Sequence, residues 1–136
     1  NYDSLEWMTS DYMKNVKVKH LEFKDSSSIY EVDELESMDS YNIFLKGPSS
    51  LIEIENFESQ NDKELVIFRD SFASSLTPLL IPYYKKIILI DLRYIRMDLV
   101  SNYVNFKDKD ILFLYSTLII NSSDLLKVNN FKNNKR

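Results

Sequence analysis

The stretch that decides the fold is "ELVIFRDSFASSLTPLLIPYYKKIILIDLRYI", residues 64–95. It opens on a continuous apolar run, residues 64–68, which suits a strand buried on both faces. At Arg69-Asp70-Ser71-Phe72 the period changes. Phe72, Leu76, Leu79 or Leu80, and Tyr83 then fall on one helical face. Pro78 and Pro82 each remove an N–H donor, so this helix should kink at 78 and end near 82. A second continuous apolar run, "KKIILIDL" (85–92), follows. Strand, helix, strand in this order predicts a crossover unit with two parallel strands.

The same alternation continues downstream. "MDLVSNYVNF" (97–106) has helical spacing, and "DILFLYS" (110–116) is a third apolar strand. "SSDLLKVNNF" (122–131) is a last helix, capped by Ser122 or Ser123. The expectation is therefore an α/β fold with a mainly parallel sheet and helices on both faces. The whole chain reads as one domain: a βαβαβα core over 39–136 behind an N-terminal extension, 1–38, that is irregular or adds strands. In that front part, residues 3–15 are spaced as a helix, "VKVKHLEF" (16–23) alternates as a half-buried strand, and 24–28 is a polar loop. Residues 29–41 read as a short strand and a turn. Gly47-Pro48 marks a loop around 46–50, and "LIEIEN" (51–56) alternates as a strand.

Composition narrows the function. There is one Gly in 136 residues, so neither a P-loop nor a dinucleotide-binding Gly fingerprint can be written. The net charge of −4, with cations interspersed among acids, disfavours nucleic acid as a partner. Without cysteine, thiol catalysis, thiolate-bound metal and disulfides are excluded. No apolar run reaches the ~18 residues of a membrane span. The chain begins with Asn, and its expected status is a mature or excised piece of something longer.

Ligands of parallel sheets bind beyond the carboxyl ends of the strands. Three polar clusters fall there: Arg69-Asp70-Ser71, Asp91-Leu92-Arg93 and Tyr115-Ser116-Thr117. Ser71 at the strand-to-helix turn suits a nucleophile, with N–H groups at the helix start holding an oxyanion. It equally suits a helix cap, a role Asp70 could also fill. Asp70 and Asp91 together suggest a Mg²⁺-dependent phosphoryl site, but Phe72 stands where the second Asp of a D-x-D pair would be. His20, the one histidine, lies among Lys17, Lys19 and Glu22 and reads as a solvated residue. That leaves Ser71 without a base, and an unactivated serine is a poor nucleophile.

"DSYNIFLKGPSSLIEIEN", "ELVIFRDSFASSLTPLLIPYYKKIILIDLRYI" and "DILFLYS" together resemble the C-terminal part of the DHHW protein family. The resemblance covers roughly residues 39–120, with Asp70-Ser71-Phe72-Ala73, "PLLIPYY" and "IDLRY" its most specific pieces. These are bacterial envelope proteins related to SGNH-hydrolase-like polysaccharide O-acetyltransferases. The resemblance implies an SGNH-like or flavodoxin-like α/β/α sandwich and places Ser71 as catalytic nucleophile. It makes Asp70, Arg93 and Asp91 orienting or site-edge residues, and the backbone N–H groups of Ser71, Phe72 and Gly47 oxyanion donors. It implies no metal and no cofactor. The implied partners are an acyl donor and an envelope polysaccharide, and the implied location is extracytoplasmic. The family's Asp-His-His-Trp motif, which supplies the acid–base pair upstream of the serine, is missing here. Gly47-Pro48 also replaces the Gly-Asn that family members tend to have. This chain alone is therefore expected to be inactive, either as a C-terminal piece or as a member that binds rather than catalyses.

Overall fold

The structure, a computed structural model, describes residues 4–23 and 27–128. Its centre is a five-stranded sheet made of β1 (Val16–His20), β2 (Leu51–Asn56), β3 (Glu64–Arg69), β4 (Lys86–Ile90) and β5 (Asp110–Leu114). The spatial order is β1-β2-β4-β3-β5. β4 and β5 flank β3 and run parallel to it, with Phe68 opposite Ile90 on one side and Phe113 on the other. β2 runs antiparallel to both β4 and β1, with Ile54 between Ile87 and Val18.

The sheet is therefore mixed, and the expected mainly parallel α/β/α sandwich of SGNH or flavodoxin type does not form. The physical reason lies in the first half. β1 is a strand added by the N-terminal extension, and with β2 it completes the sheet on an antiparallel side. The helical layers are also thin. α1 (Phe72–Leu80) has nine residues, while α2 (Met97–Val100) and α3 (Thr117–Asn121) are single turns.

The core explains why β3 and β4 read as continuous apolar runs. Leu65, Ile67, Ile87 and Leu89 point to the face covered by α1, with Val18, Ile52, Ile54, Leu45 and Ala73. Val66, Phe68, Ile88 and Ile90 point to the other face, with Leu92, Ile95, Val100 and Val104. Strands buried on both sides have no polar phase. α1 lies close to the sheet because its inward residues are small: Ala73, Ser74 and Thr77 are buried, and the Thr77 hydroxyl donates to the Ala73 carbonyl at 2.7 Å. Pro78 sits within α1, and a 3₁₀ turn at Ile81–Tyr83 takes over from the helix.

Several expected helices shrink. Of the described part of the 3–15 stretch, 4–15, only Asp11–Asn15 coils, as a 3₁₀ turn, because Leu5 and Met8 find no surface to bury against. Residues 97–106 form one helical turn. Val100 and Val104 are buried four apart, but the polar residues between them face solvent. The last helix forms earlier than expected: Ser116, not Ser122 or Ser123, caps Thr117–Asn121, its hydroxyl accepting from Ile119 N–H. The part of "SSDLLKVNNF" beyond 128, like residues 1–3 and 24–26, lies outside the described residues. The 29–41 segment holds two 3₁₀ turns (Val32–Glu36 and Ser40–Ile43) and a Tyr30–Phe44 bridge. Among the described residues no helix is long and apolar enough to cross a membrane.

Candidate functional site

β3 ends at Arg69, and the chain turns into α1 through Asp70 and Ser71. Two residues competed for the cap, and Asp70 takes it. Its Oδ1 accepts from Phe72 N–H at 3.0 Å, while Ser71 makes no side-chain cap bond. Asp70 Oδ2 accepts from Ser116 N–H at 2.6 Å, which ties the β3–α1 turn to the loop after β5. Burial alone would raise the Asp70 pKa. The N–H bonds from Ser116 and Phe72, with Arg93 nearby, overcome it and hold the carboxyl below its ordinary value. Asp70 is 2% exposed, whereas Ser71 beside it is exposed.

The second cluster is as tightly bound. Asp91 is wholly buried at the end of β4. Its Oδ1 accepts from Arg93 N–H at 3.0 Å and from Arg93 Nε at 2.9 Å, and its Oδ2 accepts from Arg93 Nη2 at 2.6 Å. This fork raises the Arg93 pKa through the hydrogen bonds first and the Asp91 charge after desolvation. With the oxygens of Asp70 and Asp91 taken in this way, neither carboxylate is arranged as an open cation ligand. Among the described residues no group of three or more His, Asp or Glu could hold a metal ion.

A cavity of about 60 Å³ opens beside Ser71. Arg69, Ser74 and Arg93 line it from the sheet and α1, and Tyr41, Asn42 and Gly47 line it from the 39–48 loop. That loop is held against the turn: the Tyr41 hydroxyl donates to the Ser71 carbonyl at 3.1 Å and lies 2.9 Å from the Ser75 hydroxyl. Leu45, Lys46 and Gly47 all have positive φ, at 55°, 58° and 77°. At Gly47 the glycine is required twice over. A Cβ there would meet Asn42 Oδ1 at 2.4 Å, in a left-handed conformation that side chains disfavour. The loop thus brings Asn42 to the cavity.

Of the residues the sequence singled out, Ser71, Arg93 and Gly47 share this cavity, while Asp70 and Asp91 stand behind it as anchors. Two of the expected oxyanion donors are already engaged, Phe72 N–H by Asp70 and Gly47 N–H by the Phe44 carbonyl at 3.3 Å. For Ser71 N–H no acceptor is found among the described residues. Tyr41 and Asn42 were missed as site residues. Their signal, "DSYN" with an Asx-type turn ahead of Gly-Pro, is visible but lies some thirty positions from Ser71. In sequence Arg69 reads as a polar strand end, yet it is 1% exposed and lies on the same sheet face as Ile67.

His20 departs most from expectation. Strand alternation places it with Val18, not with Lys17 and Lys19, so it points inward and is 1% exposed. Neither ring nitrogen has a hydrogen-bond partner among the described residues. Burial lowers its pKa, so the imidazole is held neutral. It packs on Phe23, with ring centroids 5.1 Å apart, and does not line the Ser71 cavity. On the opposite sheet face, the Tyr115 hydroxyl is buried without a partner among the described residues. Burial, then Asp91 and Asp70, push its pKa up to about 12.

The mixed sheet is a DHHW-like fold, in which β3 leads into an exposed serine beside two arginines. The particular structures it resembles are bacterial. A DHHW family protein from Eubacterium siraeum is 21% identical, with a TM-score of 0.59 over 82% of this chain and 39% of that chain. Bacillus cereus PatB1 is 25% identical, with a TM-score of 0.57 over 82% of this chain and 36% of that one. PatB1 with a sulfonyl adduct is 24% identical, with a TM-score of 0.54 over 82% of this chain and 38% of that one. This chain thus spans about two fifths of the length of these structures. No family model and no curated protein matches the sequence.

Proposed function

We propose that this chain carries the nucleophile portion of a bacterial envelope protein that transfers or hydrolyses an O-acyl group on a glycan. The observation that carries the reading is the position of Ser71. Its hydroxyl is exposed at the carboxyl end of β3, opens onto a cavity, and is not used as a cap because Asp70 does that work. In this reading Ser71 Oγ attacks an acyl carbonyl and forms an ester, releasing the donor's leaving group. A glycan hydroxyl or water then takes the acyl group and regenerates Ser71. Ser71 N–H is the backbone donor best suited to the developing oxyanion. The resemblance to SGNH-type O-acetyltransferases, the DHHW-like fold and the bacterial neighbours support both the acyl chemistry and the envelope location.

The proton acceptor is missing from the cavity. No imidazole lines it, and His20 is buried elsewhere. In this reading the base is supplied from outside these 136 residues, and the chain alone is expected to be inert. The absence of an imidazole also favours a second reading, a binding or scaffold domain on the same fold.

The test has two arms. The isolated chain should neither hydrolyse p-nitrophenyl acetate nor be labelled rapidly at Ser71 by a serine-directed phosphonate. In the longer native protein, glycan acylation should be abolished by Ser71→Ala. Acylation that survives Ser71→Ala would select the scaffold reading. Rapid phosphonate labelling of the isolated chain would show that its base lies within these residues.

A further inference from the structure

We propose that the cavity beside Ser71 is a carboxylate-binding subsite whose recognition group is Arg69. Arg69 is one of the largest fully buried side chains of the protein, at 1% exposure. Only its Nη1 is engaged, by the Ser74 hydroxyl at 3.0 Å and more distantly by the Asp70 carbonyl at 3.4 Å. Nε and Nη2 are buried without a partner among the described residues. Burial lowers the Arg69 pKa, but a guanidinium keeps its charge in proteins, so both nitrogens remain donors that require an acceptor.

The nearby carboxylates do not supply that acceptor. Asp70 is held by Phe72 and Ser116, and Asp91 by Arg93. Arg93 grips Asp91 through its Nε and Nη2 edge, the fork that matches two carboxylate oxygens. Arg69 lines the same cavity as Arg93, and its own Nε and Nη2 carry no carboxylate among the described residues. The cavity, about 60 Å³, suits a planar head group of two oxygens rather than a sugar ring. A ligand placing its carboxylate on Arg69 would keep the rest of itself at the mouth, beside the exposed Ser71. Asp39, at the rim, is turned to its own backbone, accepting from Tyr41 N–H at 3.1 Å.

As a statement about substrate class, that the molecule handled at Ser71 is acidic, this rests on the acyl-transfer reading. The binding itself does not. The carboxylate could belong to a short free acid or to an acidic sugar, and acetate and glucuronate distinguish these. The test uses the ¹⁵N-labelled 136-residue chain titrated with sodium acetate, sodium glucuronate, sodium chloride and acetamide at constant ionic strength. The Arg69 Nε–H resonance should shift saturably with at least one carboxylate and not with chloride or acetamide. Ser71→Ala should leave that response intact, and Arg69→Lys should lose it. No saturable shift in the wild-type chain, or an equal shift with chloride or acetamide, would overturn the proposal without touching Ser71's role. Because the decisive measurement uses the wild-type chain, a failure of Arg69→Lys to fold cannot rescue the idea.

Discussion

Asp70 and Ser71 are adjacent and both are ordinary cap residues, yet the structure gives them opposite energetic roles. Asp70→Ala removes the acceptor for Phe72 N–H, a cap loss of about 1 kcal/mol. It also strips the 2.6 Å acceptor from Ser116 N–H, a charge-assisted bond whose loss is of order 1–3 kcal/mol. The expected sum is a destabilisation of about 2–4 kcal/mol at pH 7. Ser71→Ala removes an exposed hydroxyl with no cap bond and should stay within about 0.5 kcal/mol of wild type. Urea unfolding followed by circular dichroism measures both, and its pH dependence supplies a second check. The Asp70 pKa is lower when folded than its ordinary 3.8. Its contribution is therefore complete above pH 3.8 and lost as the pH falls through the folded value, so the gap between wild type and Asp70→Ala should narrow in acid. A Ser71→Ala loss of 1 kcal/mol or more, or an Asp70→Ala loss too small to resolve, would refute the division of roles.

Three further outcomes follow from neighbouring residues. Gly47→Ala should lose about 1–2 kcal/mol by the urea assay, from the left-handed backbone and the contact with Asn42, and the Asn42 side-chain amide resonances should move. Asp91→Asn leaves Arg93 without its anion beside buried Arg69, and the expected loss is about 3–5 kcal/mol, read as a lowered urea midpoint with unchanged slope. His20 has a folded pKa below its ordinary 6.5, so its neutral form is complete above 6.5 and wild-type stability falls as the pH drops through 6.5 toward the folded value. His20→Leu should flatten that segment of the stability curve between pH 7 and 5; an unchanged slope would show that the imidazole titrates normally.

How much of this was legible depends on whether the signal is local. The strands at 51–56, 64–69, 86–90 and 110–114 show in the sequence because burial on one or both faces writes itself into consecutive residues. Their partners do not show. Nothing in "LIEIEN" says that it runs antiparallel to β4 rather than standing outside a parallel sheet, since alternation reports burial and not direction. The inward position of His20 was legible from its parity with Val16 and Val18, and two flanking lysines obscured it. The choice between Asp70 and Ser71 as cap was not legible. It turns on Ser116 N–H, forty-six residues away, which holds the second oxygen of Asp70. Arg69 reads as the polar end of a strand, and only the packing of α1 and the 39–48 loop over that end makes it buried.

These details connect cap chemistry to site chemistry. If Ser71 had been the cap, its hydroxyl would point back at the helix N–H groups and away from the cavity. Instead Asp70 spends one oxygen on α1 and the other on the loop after β5. That choice does two things at once. It leaves the Ser71 hydroxyl exposed at the mouth of the cavity, and it keeps the Asp70 carboxylate off the Arg69 fork. Asp91 is removed from Arg69 in the same way, by the Arg93 fork. Two arginines and two carboxylates are thus brought to one sheet edge in equal number, yet their hydrogen bonds are shared unequally. A structure that needed only stability would close these four groups into two ion pairs, because a buried guanidinium edge without an acceptor is unfavourable. Leaving one edge open next to an exposed serine is the kind of local cost that a ligand, and not the fold, offsets.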